Sequence, residues 1–232
     1  MMNAERSYKA ELHCHTTYSD GRLTPEQCVK TAVQKKLAVL AITDHDTAEG
    51  ALPFWEHQPA ELTVVPGEEI STDRGHVLGL FVRESISPGP FQQVIEKLRE
   101  QDAVIVLPHP VHIPLAYKLR KRSIHTWTDE EIALVDGLEL FNAHNRPCAN
   151  AMAQTLYGAH DVLKLSGSDA HFGFEIGCAA SEIHASGRSL DEIKAALRSH
   201  AVTLSAKQPN HFLAYLWIGA CNRLGQKRYR YP

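Results

Sequence analysis

The chain has 232 residues, of which 44% are hydrophobic and 22% charged, and its formal net charge is −3. These values are ordinary for a globular domain and exclude a disordered or fibrous chain. A slightly acidic balance also disfavours a protein that binds long nucleic-acid duplexes, since such proteins are usually basic.

The first half of the chain alternates short apolar runs with amphipathic segments. We predict strands at residues 12–16, 37–43, 62–66 and 76–82. Thr24 is expected to cap a helix, because Pro25 suits the first helical position and Gln27 completes a capping box. A weak helix is expected over 48–57, and the residues at 72–75 are typical of a turn.

The second half continues the same alternation. Helices are predicted at 91–101, 148–157 and 210–224, with helix starts at Thr128 and Ser189, and strands at 103–107, 137–141, 162–165, 177–183 and 201–204. Strand and helix alternate about seven times, which indicates an α/β fold with parallel strands. Since no glycine-rich phosphate loop follows the first strand, a barrel is favoured over an open dinucleotide-binding sheet.

Polar clusters follow the predicted strands, where a barrel places its active site. They contain His13, His15, Asp20, His45, Glu69, His76, His109, Asp169 and His171. Imidazole and carboxylate groups together suit zinc, manganese or iron. A lone histidine, such as His57 or His184, is more often an ordinary surface or core residue. The whole set at strand ends instead predicts a metal centre.

The cysteines and apolar runs indicate a cellular compartment. The five cysteines form no C-x-x-C pair and are odd in number, which disfavours a disulfide scaffold and a zinc–thiolate site. The longest apolar runs are too short to cross a bilayer, and no signal peptide is recognised. We therefore expect a cytoplasmic protein without a membrane partner.

A resemblance to a known family rests on ordered motifs: H-C-H-T-x-Y-S-D-G, I-T-D-H-D, P-G-E-E-I-S, G-H-V-L-G-L, P-H-P and G-S-D-A-H. Together they resemble the polymerase-and-histidinol-phosphatase (PHP) family, from about residue 11 to 206. The resemblance implies a distorted seven-stranded (β/α)7 barrel. It also implies one domain over 1–232, with its core at about 8–206 and a C-terminal helix and basic tail at 207–232.

The resemblance also implies two or three divalent ions (Zn, Mn or Fe, with Mg compatible) and their ligands, which would be the catalytic residues. One ion is assigned to His13, His15, Glu69 and Asp169, a second to Glu69, His76 and His109, and a third to Asp20, His45 and His171. Asp44 is expected to fix the ring of His45.

Phosphate recognition requires cations beyond the metal ions. We predict substrate contacts from Lys118 and Arg120, after His109, and from Asn142 and Arg146, after the strand at 137–141. A solvated basic face remains an alternative for the Lys/Arg run. The similar small phosphatases carry a helical insertion before the His-Pro motif that this chain lacks, so nucleotide specificity stays open.

The expected activity is hydrolysis of a phosphomonoester by a metal-activated hydroxide. Nucleotide substrates would be a nucleoside 3′,5′-bisphosphate or a short RNA end. Histidinol phosphate or another sugar phosphate is an alternative substrate. A non-catalytic metal-binding accessory module is an alternative of another class, and an amidohydrolase-type barrel is weakly disfavoured. The sequence leaves the oligomeric state open.

Overall fold

Nine strands form one sheet in the computed structural model, which describes residues 6–111 and 126–206. The strands are β1 (Arg6–Glu11), β2 (Val39–Ile42), β3 (Thr63–Thr72), β4 (Gly75–Leu80), β5 (Val104–Leu107), β6 (Gly137–Asn142), β7 (Leu163–Gly167), β8 (Ala179–Ala185) and β9 (Val202–Ala206). The helices are α1 (Pro25–Gln34), α2 (Phe91–Glu100), α3 (Asp129–Ile132), α4 (Pro147–Tyr157) and α5 (Leu190–Arg198), with a 3₁₀ turn at Leu52–Trp55.

The sheet has the strand order β7-β6-β5-β4-β3-β2-β1-β8-β9. Strands β1 to β3 run parallel, as do β5 to β7. Strand β4 is antiparallel to both of its neighbours, and so is β8. The sheet nearly closes on itself, because the backbone N–H of Ser166 in β7 donates to Ser181 Oγ in β8 at 2.9 Å.

The predicted α/β class is confirmed, and in place of the predicted distorted seven-stranded (β/α)7 barrel the described residues form a nearly closed nine-stranded sheet. Parallel neighbours need a long crossover, usually a helix. No helix separates β3 from β4 or β7 from β8 within the described residues. Strand β4 therefore pairs with β3 as an antiparallel hairpin, and the strict strand–helix repeat is interrupted there and between β7 and β8.

The hydrophobic core lies on both faces of the curled sheet. Alternate residues of a strand point to opposite faces. One set, including Val39, Val65 and Leu78, packs together with side chains of α5. The other set packs against α2 and α4 in one cluster and against α1 in another. With both faces covered by apolar groups, the polar side chains of the site gather at the strand ends.

The predicted helix starts are confirmed, whereas several boundaries differ. Thr24, Thr128 and Ser189 each form a complete capping box. Strand β1 ends before the predicted 12–16, since that segment joins its neighbours through an isolated Cys14–Ala170 bridge and the bond from Thr43 N–H to Cys14 O rather than through a continuous ladder. Strand β3 extends through the predicted loop because it forms a hairpin with β4. The weak helix at 48–57 is reduced to the 3₁₀ turn.

Two further sequence predictions concern a C-terminal helix and membrane-spanning segments. The predicted helix at 210–224 lies outside the described residues. Among the helices within them, none combines the length and apolar character needed to span a bilayer.

Candidate metal centre

The predicted ligands converge at one edge of the sheet. His13 and His15 follow β1, His45 follows β2, and His109 follows β5. His76 lies instead near the beginning of β4. Because β4 is antiparallel to β3, with His76 paired to Ser71, its beginning lies beside the ends of the parallel strands. The antiparallel direction of β4 thus explains how His76, near the beginning of its strand, lies beside candidate ligands that follow the ends of other strands.

Glu69 lies at the centre of the cluster and is fully buried. Its carboxylate oxygens approach the ring nitrogens of five histidines: His76 at 2.9 Å, His109 at 3.0 Å, His13 and His45 at 3.2 Å, and His15 at 3.3 Å. One carboxylate within reach of five imidazoles is the arrangement expected of a bridging ligand between neighbouring cations.

Among the described residues, four groups have ligand atoms within 4.8 Å of one another. Three consist of predicted ligands and are His13, His15, Glu69 and Asp169; His15, Asp20, His45 and His171; and His45, Glu69 and His76; the fourth is His144, His171 and Glu175. The structure therefore brings together all nine predicted ligands, with His109 joined to the third group through Glu69 Oε1. Their roles as ligands stay predictions.

Opposite charges dominate the electrostatics of the cluster. Burial raises the pKa of Glu69, yet the facing His13, His45 and His76 bring it well below its usual range. Burial likewise opposes the charged form of Asp169, but His13 and His15 hold its pKa well below the ordinary value. Carboxylates that stay ionised are the form needed to bind a cation.

His15 provides a direct test of whether the cluster fits divalent ions. Burial, followed by the neighbouring His171 and His45, lowers its pKa to about 4, so its ring is neutral and able to coordinate. Its Nε2 lies 3.1 Å from Asp169 Oδ1, whereas its buried Nδ1 has no hydrogen-bond partner among the described residues. Because a buried ring nitrogen normally has a partner, this Nδ1, which faces Asp20 Oδ1 at 3.9 Å, fits the position of a metal ligand.

Two candidate ligands occupy strained backbone. His109 and Asp169 have φ values of 30° and 55°. For residues other than glycine, such conformations cost about 1–3 kcal/mol each and persist where surrounding contacts impose them. Here the backbone N–H of His109 donates to Glu139 at 2.9 Å. Asp169 in turn accepts from Asn142 at 3.2 Å. The strained backbone therefore lies at residues whose side chains must point toward the proposed metal ions.

The side chain of Asn142 contacts two acidic residues of the site. Its buried side-chain amide donates to Glu139 at 2.8 Å as well as to Asp169. Glu139 also approaches His13 Nδ1 at 3.1 Å. Asn142 thus supports the candidate ligands, and its predicted contact with a substrate stays a prediction.

Asp44 fixes the loop that leads to Asp20. Its carboxylate accepts from the backbone N–H of Thr16 at 2.7 Å, from Thr16 Oγ1 at 2.6 Å and from Ser19 Oγ at 2.6 Å. Its action on the ring of His45 stays a prediction.

Of the three remaining residues predicted to contact a substrate, the structure describes one. Arg146 is the N-cap residue of α4, four positions beyond Asn142, and its side chain is half-buried. Its contact with a substrate stays a prediction. Lys118 and Arg120 lie outside the described residues.

Sequence reasoning missed His144, Glu175 and Glu11. His144 Nε2 lies 3.0 Å from the buried Glu175 Oε1, and its ring stacks on His171 at 5.1 Å. Nothing in the sequence pattern indicates this pair. Glu11 precedes His13 by two positions, which places both side chains on one face of an extended chain. That spacing was the signal that could have indicated Glu11.

Gly167 offers a test of how closely the site is packed. A Cβ at this position would lie 2.8 Å from His13 Cβ and would collide with Glu139 Oε1. We expect Gly167→Ala to weaken metal binding about 10–100-fold, as changes around a ligand typically do. Elemental analysis and metal titration of the purified variant measure this. Gly89→Ala is the control, because its nearest neighbour would be 4.0 Å away; equal affinities in both variants would contradict the expectation.

The PHP domain family model matches residues 11–208 of the chain. An uncharacterized protein of Methanocaldococcus jannaschii is 35% identical over 151 residues, covering 60% of this chain and 84% of that protein. The 5′-3′ exoribonuclease Rnm of Escherichia coli is 46% identical over 79 residues, covering 31% of this chain and 27% of the exoribonuclease.

A solved structure with the same fold is a two-domain protein from Bacteroides vulgatus that contains a predicted PHP-like metal-dependent phosphoesterase. The TM-score is 0.67 at 18% identity, covering 87% of this chain and 65% of that one. This chain thus spans less than two thirds of that protein, and at this identity the likeness concerns the fold.

Proposed function

The chain belongs to the PHP domain family, and we propose that it is a metal-dependent phosphoesterase whose catalytic centre is the cluster around Glu69. The observation that carries this proposal is the buried Glu69 carboxylate within 3.3 Å of five imidazole nitrogens. Divalent ions bound there would supply Lewis acidity to a phosphoryl group and activate water for attack.

The protein's own residues prepare the site for this chemistry. Ionised Glu69 and Asp169 provide negative charge for cations, and neutral His15 provides a nitrogen donor. Asn142 and Glu139 keep His13, His109 and Asp169 in fixed orientations through hydrogen bonds. Such prior ordering lowers the cost of arranging charges when the reaction takes place.

We propose that the substrate carries its phosphate on a nucleotide or on a short RNA end. Support comes from the similarity to the Escherichia coli exoribonuclease over 79 residues. Because the match covers 27% of that enzyme, its activity is not transferred as a whole. A sugar phosphate therefore remains the alternative, and the cytoplasmic location and the single domain over 1–232 stay predictions.

The function is tested by removing and restoring the metal. Purified protein is analysed for Zn, Mn and Fe, chelated, and assayed before and after reloading with each ion. The substrates are a nucleoside 3′,5′-bisphosphate, a short 5′-phosphorylated RNA and histidinol phosphate. We expect chelation to abolish phosphate release and reloading to restore it, with the nucleotide substrates preferred. Metal-loaded protein that hydrolyses none of them would favour a binding module instead.

Arg146 is proposed to bind the substrate phosphate through its guanidinium fork. Because a hydrogen bond to a charged group contributes about 1.5–3 kcal/mol, Arg146→Ala is expected to raise KM roughly tenfold or more. Steady-state kinetics on the preferred substrate measure the change. Arg83→Ala is the control, since Arg83 lies over the Trp55 ring. An unchanged KM in the Arg146 variant would remove this residue from the substrate site.

A further inference from the structure

Glu11 joins three separate segments of the chain. It is the last residue of β1 and is fully buried. Its Oε1 accepts from the backbone N–H of His13 at 3.1 Å and from that of Ser168 at 3.0 Å. Its Oε2 accepts from the backbone N–H of Gly177 at 2.9 Å. One carboxylate therefore fixes main-chain positions that lie 2, 157 and 166 residues away in sequence.

Two of these segments carry candidate metal ligands. His13 is itself a candidate, and Ser168 immediately precedes Asp169. The ligands on the two segments meet directly, with His15 Nε2 at 3.1 Å and His13 Nε2 at 3.6 Å from Asp169 Oδ1. A shift between the segments would therefore change the distances within one ligand group.

Glu11 also lies where β1 changes its neighbour. Up to Ala10, β1 pairs with β8, and Ala10 is opposite Ser181. Between His13 and His15 the chain pairs with the segment after β7, through the bonds from His15 N–H to Ala170 O at 2.8 Å and from Ala170 N–H to His13 O at 3.3 Å. At this change of partner the side chain of Glu11 supplies the acceptors for N–H groups on both sides.

The chemical nature of the residue matters at this position. Burying a carboxylate is costly unless hydrogen bonds compensate it. A glutamine would be less costly to bury, but one of its two terminal atoms is an NH₂ donor, which would face an N–H group rather than accept from it. Only an acceptor at both terminal positions suits the three donors.

We propose that Glu11 is a positioning residue, whose carboxylate holds the ligand-bearing ends of β1 and β7 at the separation required for a divalent cation. This inference rests on the proposed metal centre but not on the reaction that the centre catalyses. Glu11 itself coordinates nothing, since its oxygens are occupied by backbone N–H groups. It acts through His13, His15 and Asp169.

The test uses Co²⁺ as the probe, because its visible absorption reports the geometry of its ligands. Three variants of the full chain are compared with the wild type: Glu11→Gln, Glu11→Asp and the control Glu68→Gln. Glu68 is also fully buried and accepts a backbone N–H, from Ile86 at 2.9 Å, but its neighbour Glu69 points to the opposite face of β3. Circular dichroism establishes that each variant is folded.

We expect Glu11→Gln to raise the dissociation constant for Co²⁺ about 10–100-fold, as outer-sphere changes typically do, and to alter the absorption band. Glu11→Asp keeps both acceptors on a shorter side chain and is expected to lose less affinity. Glu68→Gln is expected to keep the affinity and spectrum of the wild type, whatever its effect on the melting temperature.

A folded Glu11→Gln variant with wild-type affinity and spectrum would overturn the assignment. If Glu11→Gln does not fold, Glu11→Asp decides: weakened binding supports the assignment and unchanged binding overturns it. A wild-type protein that binds Co²⁺ and hydrolyses no phosphate ester would refute the proposed function and leave the role of Glu11 intact. A wild-type protein that binds no Co²⁺ would overturn both.

Discussion

Replacing Glu69 by glutamine is expected to abolish phosphate hydrolysis and to remove bound metal. The substitution preserves the size of the side chain but removes the negative charge that faces five imidazoles. Since Glu69 is a proposed bridging ligand, the loss in kcat should exceed the roughly 10–100-fold typical of outer-sphere residues. Metal content and single-turnover rates of the purified variant measure the two effects separately.

The adjacent residue provides the matched control for this experiment. Glu68 has the same chemistry and the same complete burial, but its carboxylate accepts from Ile86 instead of facing the histidines. Glu68→Gln should therefore keep both metal and activity. If Glu69→Gln retained a full metal complement and turned over at the wild-type rate, the cluster would not be the catalytic centre.

The second large effect is expected for His15→Ala. The ring of His15 takes part in two of the ligand groups, and its centroid lies 4.5 Å from that of His45 and 4.4 Å from that of His171. Its removal should therefore disturb two groups at once, with a loss of activity beyond about 100-fold. The fold should persist, because the residue lies beyond the end of β1 and outside the apolar clusters.

Activity, metal content and thermal unfolding of His15→Ala are measured beside His184→Ala. His184 lies on β8, and its ring contacts Thr203 on the neighbouring strand. A loss of activity in both variants would indicate a general effect of removing a histidine. Retained activity in His15→Ala alone would exclude His15 from the catalytic centre.

The positions of the candidate ligands were predictable because residues of metal-binding type follow the apolar runs that predict strands. The histidines and acids follow apolar runs, and in parallel strands such runs end at the same edge. His76 is the instructive exception. It precedes the apolar part of its strand, and only the hairpin between β3 and β4 turns it toward Glu69. The turn residues at 72–75 predict a turn, but they do not by themselves predict that β4 runs antiparallel to β3.

Supporting residues were much less predictable. The role of Glu11 depends on backbone groups of Ser168 and Gly177, which no pattern in the sequence connects to it. Asp44 lies next to His45 in sequence, yet its bonds go to Thr16 and Ser19. Adjacent residues on an extended chain point in opposite directions, so the sequence neighbour of Asp44 does not predict these contacts. The register of the sheet determines which distant residues each side chain meets.

The order of strands in the sheet has a consequence for folding during synthesis on the ribosome. The contact between His15 and Asp169 joins residues 154 positions apart, and contacts of such long range form slowly because a large loop must close first. A nascent chain of which only about the first hundred residues have emerged from the ribosome contains His13, His15 and Glu69 but not Asp169. Assembly of the complete group therefore awaits the synthesis of Asp169, just beyond β7. Any ion that the proposed centre binds through all four side chains is acquired only after translation has passed that strand.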